Sequence, residues 1–292
     1  MALSQGTESS VEIATVEIEP ERRGKKPQDV QKMGRGSGGI KRKKMLRQIA
    51  FYLVLLLVWH KLATSNLWSP GAFAGPLDVW GTLVERVHNG TLITAIAVSL
   101  RRLAIGYAIS IVLGTILGLL IGLNRYFDET LGSLILGFQA LPSVCWTPFA
   151  LLWFGLSEQA MIFVVVMGAL FSITLGVDTG IKNTSPVYLQ AARNMGARGL
   201  ALITQVILPA ALPNIIVGLK QGWSFAWRSL MAAELIYVTL SLGGLLENGR
   251  DYVDASLMFA IMLVIIVLGV LINGLIFGPL EQIVRQRWGL QK

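Results

Sequence analysis

Six stretches of this chain, at about residues 48–68, 103–123, 131–156, 159–177, 210–238 and 256–280, carry few or no charges. Each reaches the roughly 20 residues that a helix needs to cross the hydrocarbon core of a bilayer. Backbone polar groups in that core find no water, so such runs fold as helices whose hydrogen bonds close within the segment. The expected fold class is an all-α membrane protein with about six transmembrane helices. Composition agrees: 53% of the 292 residues are hydrophobic and 14% charged, where a soluble domain carries roughly 25% charged residues. Lone Cys145 sits in an apolar run, can form no internal disulfide and reads as a small buried hydrophobe.

The net charge of +8 raises nucleic acid as a partner. Lys and Arg concentrate, however, in the first 47 residues and in loops that flank spans, the bias that orients a membrane protein. No nucleic-acid partner is expected. Arg125, Lys182, Arg193, Arg198, Arg285, Arg287 and Lys292 fall on one side, which the bias makes cytoplasmic, while the loop near 239–255 sets Glu247, Asp251 and Asp254 against Arg250 on the other. Six crossings then put both termini in the cytoplasm. Arg101 and Arg102, at an outer end, break the bias and either meet lipid headgroups or line an outer vestibule.

Residues 1–44 are polar and show no apolar period: Glu17, Glu19 and Glu21 precede Arg22, Arg23, Lys25, Lys26 and a glycine-rich stretch from Gly34 to Gly39. They read as a disordered cytoplasmic tail ahead of a transmembrane domain over 45–292. The glycines match a dinucleotide fingerprint in form alone, since no strand precedes them, and Ile40 stands where a phosphate-binding loop needs Lys. No ATPase motif occurs in the chain, so any hydrolysis falls to a partner. Lys41–Lys44 and Arg47 make the first span a retained anchor rather than a signal peptide. Residues 69–92, with Pro70, Gly71, Gly75 and Pro76, read as an outer loop holding a short interfacial helix.

Small residues recur every fourth position in the second span, at Gly106, Ser110, Gly114, Gly118 and Gly122. They share one helix face and make a groove into which another backbone can pack, within one subunit. In the third span Pro142 and Pro148 bracket Ser143, Cys145, Trp146 and Thr147; carbonyls freed by proline must face protein or water, which makes Trp146 a candidate for a translocation path. The fifth span holds Lys220, Gln221, Trp223, Ser224, Trp227, Arg228 and Glu234. Ionisable groups at bilayer depth cost about 2.5–3.5 kcal/mol each on insertion scales and mark interiors or cavities. Lys220, Trp223, Trp227, Arg228 and Glu234 are therefore candidate path residues. Arg228 can offer an oxyanion a bidentate fork, form a structural ion pair with a carboxylate such as Glu234 of the same or the other subunit, or make a subunit-interface contact. Asp178, at the inner end of the fourth span, reads as an interfacial carboxylate. His60 and His88 are isolated, no metal-ligand spacing and no nucleophile–base set occurs, and neither a catalytic nor a metal site is expected.

The segment from Tyr188 to Pro209 is amphipathic and basic, too polar to span and too patterned for a plain loop. Gln190-Ala191-Ala192, then Gly196, then Val206-Ile207-Leu208-Pro209 resemble the cytoplasmic "EAA" loop of bacterial ABC-importer permeases, with Gln190 in place of Glu and Val206 in place of Ile. The run Leu141 to Gly155 and the run Gly222-Trp223 through Glu234 are similar to the nitrate, sulfonate, taurine and bicarbonate permeases. The resemblance implies the type I ABC importer permease (MetI-like) fold, with a coupling loop at about 186–209 whose Gln190, Ala191, Ala192, Arg193, Gly196, Ala197, Leu208 and Pro209 engage an ATPase.

It further implies a transport subunit, not an enzyme, in a bacterial plasma membrane. Its partners would be a second copy of the permease, two ABC ATPases that use ATP and Mg2+, an external substrate-binding protein and membrane lipid. No cofactor is expected in this chain itself. Aliphatic sulfonate, taurine, nitrate and bicarbonate fit as cargo, and so does a vitamin precursor of the pyrimidine or riboflavin type. An ion-coupled secondary transporter would need an inverted repeat, and the two halves show none.

Overall fold

The computed structural model describes residues 37–65, 67–68, 71–237 and 239–287. The acidic and basic stretches of the expected tail, within residues 1–36, lie outside the described residues, as do the C-terminal residues 288–292. Every element among the described residues is helical. The first, α1 (Ser37–Thr64), begins inside the stretch expected to be tail: Ile40 to Leu46 are mostly strong helix formers, and helix propensity carries the turns back from the apolar run. The chain divides into two compact units within this helix, Met1–Leu55 and Leu56–Lys292. In the first unit Met45 to Leu55 are exposed, with Phe51 and Tyr52 in edge contact at 5.7 Å.

In the second unit α2 (Pro76–His88) is short and α3 (Thr91–Leu123) is long. Gly106, Ser110, Gly114 and Gly118 are buried against α7 (Glu158–Lys182), and a methyl group at Gly106 or Gly118 would stand 2.6 Å from the side chain of Val165 or Val177. The expected groove is thus real and is filled from within the same chain. Its pairs run in step, Gly106 with Val165, Gly114 with Ile173 and Gly122 with Ile181, so α3 and α7 are parallel. Parallel neighbours require the intervening chain to travel back the full length of the pair.

That return is made by α4 (Arg125–Phe127), a π turn, α5 (Ser133–Ala140), a 3-10 turn over Ser143–Trp146 and α6 (Thr147–Phe154). The stretch 131–156, expected to cross as one span, is bent: its halves meet at 103°. Pro142 has no N–H to continue α5 and holds Leu141 extended, at φ −74° and ψ 130°. Pro148 breaks nothing, because it lies in the first turn of α6, where the N–H is not needed. Cys145 lies exposed at this break, not buried as expected.

The chain continues through α8 (Pro186–Asn194), α9 (Gly199–Leu202), a π turn and α10 (Leu208–Glu234). α10 returns antiparallel along α7, with Gly180 near Ala211, Gly176 near Gly218 and Gly168 near Ser229. Then come α11 (Leu242–Asp251), α12 (Ala255–Ile272), a π turn and α13 (Gly278–Arg287). α11 is a helix inside the loop expected near 239–255; Leu242 to Leu245 are buried, and the Ser241 hydroxyl caps its N-terminus. Among the described residues five helical stretches are long and apolar enough to cross a bilayer, or six where the bent pair is counted as one span. The central core packs Leu103, Val165, Ile173, Trp223 and Leu230 from α3, α7 and α10.

Candidate functional site

Two regions gather the residues singled out by the sequence. The first is the short helix α8 between the inner ends of α7 and α10. Pro186 starts it, where the missing donor costs nothing. Leu189 packs against the core of Val177, Ile181, Ile207 and Ala211, and Ala192 is also buried, which seats one face of the helix. The opposite face is exposed and carries Val187, Tyr188, Gln190, Ala191, Arg193 and Met195. The helix stops in a Schellman turn: Ala197 N–H donates to the Ala192 carbonyl at 2.9 Å and Gly196 N–H to the Arg193 carbonyl at 3.0 Å. Gly196 sits at φ +89°, with nothing within 4 Å of where a methyl group would stand. Within this chain its role is therefore to turn the backbone.

The eight residues expected in this loop divide by environment. Gln190, Ala191, Arg193 and Gly196 lie on the open face, Ala192 faces the core and Ala197 closes the turn. Leu208 packs with the core below, and Pro209 lines a groove of ≈470 Å3 with Asn183, Tyr188, Met195 and Gln205. Leu208 and Pro209 thus hold the first turn of α10 and support the loop from behind.

The second region is α10 itself. Lys220 pairs with Glu281 of α13 at 3.1 Å. Trp223 is buried in the central core in edge contact with Tyr107, and Trp227 packs there too. Trp146 is embedded in an aromatic group with Phe138, Phe149, Phe163 and Phe171. Of the candidate path residues only Arg228 is exposed. It lies on one stripe with Val217, Gln221 and Ser224, all exposed and spaced at helical period. Its Nε donates to the Ser224 carbonyl at 3.1 Å and its guanidinium lies 4.7 Å from the Phe225 ring. No carboxylate of the described residues pairs with it.

Glu234 occupies the opposite environment and corrects the expected exposure to a path: it is fully enclosed. It accepts hydrogen bonds from Ser99 Oγ at 2.7 Å, Arg102 Nη1 at 3.1 Å and the Gly243 N–H at 3.1 Å. Glu234 therefore has Arg102, not Arg228, as its cation, and Arg102 is buried rather than set among headgroups or in a vestibule. Ser99 also receives the Leu242 N–H at 3.0 Å. This cluster joins α3, α10 and α11. One signal in the sequence pointed to it: Ser99 and Arg102 extend the register of the small-residue stripe, four residues before Gly106 in the case of Arg102. Its neighbour Arg101 is exposed and pairs with Glu158 at 2.5 Å. At the other end of the fourth span, Asp178 is buried beside Lys182 at 2.9 Å, and Lys182 also reaches Asp128 at 2.6 Å. Among the described residues no group of three or more His, Cys, Asp or Glu side chains is placed to hold a metal ion.

Comparison with known proteins adds four findings. Residues 110–284 match the family model described as binding-protein-dependent transport system inner membrane component. The chain is similar to the taurine transport system permease protein TauC of Escherichia coli, 28% identical over 75% of this chain and 82% of that one. It is likewise similar to the nitrate import permease protein NrtB of Leptolyngbya laminosa, 28% identical over 78% and 83%. A chain of the inward-facing MetNI methionine ABC transporter superposes with a TM-score of 0.50 at 21% identity, covering 72% of this chain and 94% of that one.

Proposed function

Because this chain belongs to the binding-protein-dependent transport system inner membrane components, in the group of nitrate, sulfonate and taurine permeases, we propose that it imports a small oxyanion, with Arg228 as the group that meets the cargo. The chain is the permease subunit of an ABC transporter, a transport subunit and not itself an enzyme. The observation that carries the substrate reading is the contrast along α10. Lys220 and Glu234 are neutralised by Glu281 and Arg102, while Arg228 stays exposed on a polar stripe with Gln221 and Ser224. A polar stripe with a cation on a bilayer-crossing helix is not stable against lipid and calls for a water-filled path or a partner. Two copies facing each other across this stripe would line such a path, and a planar guanidinium fits sulfonate, nitrate or bicarbonate.

In this reading the open face of α8 docks on an ATPase that binds ATP and Mg2+, two ATPases serve two permeases, and an external binding protein delivers cargo. The membrane is the bacterial plasma membrane, with both termini in the cytoplasm. ATP-driven closure of the ATPases would rock the permeases between inward- and outward-open states.

Reconstitution of the permease with its ATPase and binding protein in liposomes tests this. Uptake of taurine, an alkanesulfonate, nitrate or bicarbonate is expected, with loss in Arg228→Gln, partial return in Arg228→Lys and ATP hydrolysis retained in both. Full anion uptake by Arg228→Gln would remove the residue from the path. Uptake of a pyrimidine or of riboflavin with none of the anions would overturn the substrate class.

A further inference from the structure

α2 is unusual in having two apolar faces. One is seated in the protein: Val79 is buried with Ala74, Ala255 and Ala260, and Leu83, Trp59 and Phe259 pack around them. Thr82 Oγ1 donates to Ser256 Oγ at 3.0 Å on the same side, and Arg86 there is electrostatically coupled to Asp254. The other face holds Leu77, Trp80, Val84 and Val87, exposed by 76%, 67%, 51% and 49%. At about 100° per residue these four fall within an arc of roughly 80°, and Asp78 and Glu85 lie about 80–100° outside it. A helix washed by water on that side would carry its charges there.

The surroundings say what lies against it. α2 stands at the end of the molecule where α1 finishes and α3 starts. Aromatic rings gather at that level: Trp68 is exposed and stacks on Phe73 at 5.4 Å, Phe73 meets Phe259 at 5.2 Å, and the Trp59 indole N–H donates to the Ala74 carbonyl at 3.0 Å. Tryptophan belts of this kind mark the boundary between headgroups and acyl chains. Leu62 near the end of α1, with Leu67 and Trp68 in the loop after it, is exposed as well. We propose that α2 lies in the plane of the bilayer interface, pinned to α12 by one face and inserted by Leu77, Trp80, Val84 and Val87 into lipid. The insertion is shallow, about 5–10 Å. Asp78 and Glu85 remain at headgroup level.

Spin labels placed at Leu77→Cys, Val84→Cys and, as a reference, Glu85→Cys in a Cys145→Ser chain test this on the full-length permease in phosphatidylcholine–phosphatidylglycerol liposomes. All three positions are exposed, so the labels need displace nothing. Labels at Leu77 and Val84 are expected to relax with dissolved oxygen and to lose their response to a water-soluble nickel chelate, while the label at Glu85 keeps that response. A nickel response at Val84 equal to that at Glu85 overturns the proposal, because the face then meets water. Immobilised labels shielded from both reagents overturn it too, since a second copy or another protein would then cover the face.

Discussion

Arg102 and Glu234 stand 132 residues apart in the chain and meet at 3.1 Å inside the protein, where Glu234 has no exposed surface. Removing one partner of an enclosed pair leaves a charge with neither water nor counter-ion. Arg102→Leu is expected to destabilise the permease by about 3–5 kcal/mol, and Arg102→Leu with Glu234→Leu by less than the single change. Thermal unfolding in detergent, compared across the two single variants and the double, measures this; a double variant as unstable as the sum of the singles would deny the pairing.

Gly196 makes a second expectation specific. A side chain there meets no neighbour, so the cost is confined to the left-handed backbone, roughly 1–2 kcal/mol for most residues. Gly196→Ala should therefore loosen the end of α8 and lower transport-coupled ATP hydrolysis, while Gly196→Asn, which tolerates that conformation, should retain more of it. Equal loss in both variants would point to contact with the ATPase rather than to the turn.

The glycine seam yields a contrast between two positions. Gly118→Ala would put a methyl group 2.6 Å from Val177 Cβ and 2.7 Å from the Thr174 carbonyl, whereas Gly137→Ala meets nothing within 4 Å. Overpacking at Gly118 should cost about 1–3 kcal/mol, and Gly137→Ala, in a helix interior, should be neutral or slightly stabilising. Paired melting curves decide it, and similar midpoints for the two variants would contradict the tight packing of α3 on α7.

Asp254 caps α12 and its carboxylate accepts from Leu257 N–H at 3.0 Å and Ser256 Oγ at 2.6 Å. Burial pulls its pKa up, but hydrogen bonds from the Ser256 hydroxyl, Leu257 N–H and Ser256 N–H, with the charge of Arg86, pull harder and leave it below the usual carboxylate range. A lowered folded value means that the contribution is present above the unfolded pKa of about 3.9 and is lost as pH falls through the folded one. Asp254→Ala should cost about 1 kcal/mol at neutral pH, and the gap to the parent should close below about pH 4. A gap unchanged at pH 3 would mean that the charge plays no part.

What could be read from residues alone was what repeats locally. The apolar runs, the four-residue stripe at Gly106 to Gly122 and the spacing from Gln190 to Pro209 are all properties of one helix or one turn. Pro142 announced a kink, but the size of the bend depends on the 3-10 turn after it and on the parallel run of α3 and α7, which no local pattern encodes. Arg102 was misread for the same reason: its partner is remote in the chain, and a charge near a span end looks alike whether it meets a headgroup or a buried carboxylate. Arg228 was read as either paired or open, and the three-dimensional arrangement gives Glu234 of the same chain to Arg102 instead.

In the seam of α3 with α7 the glycines of α3 receive β-branched side chains of α7, among them Val165, Ile173 and Val177, and in that of α7 with α10 Gly176 meets Gly218, whose Cα lies 2.5 Å from where a methyl group would sit. Glycine and β-branched residues leave few rotamers to rearrange, and close-packed interiors pass strain on instead of absorbing it. The three helices are expected to behave as one stiff plate, so that a push on α8, the face proposed to dock an ATPase, would arrive at the Ser99–Arg102–Glu234 end as a tilt of the whole plate. Compliance is left to the break at Leu141–Trp146. Amide exchange should then differ between nucleotide states at that break and stay constant along α7, and a change spread along α7 would show the plate to be soft.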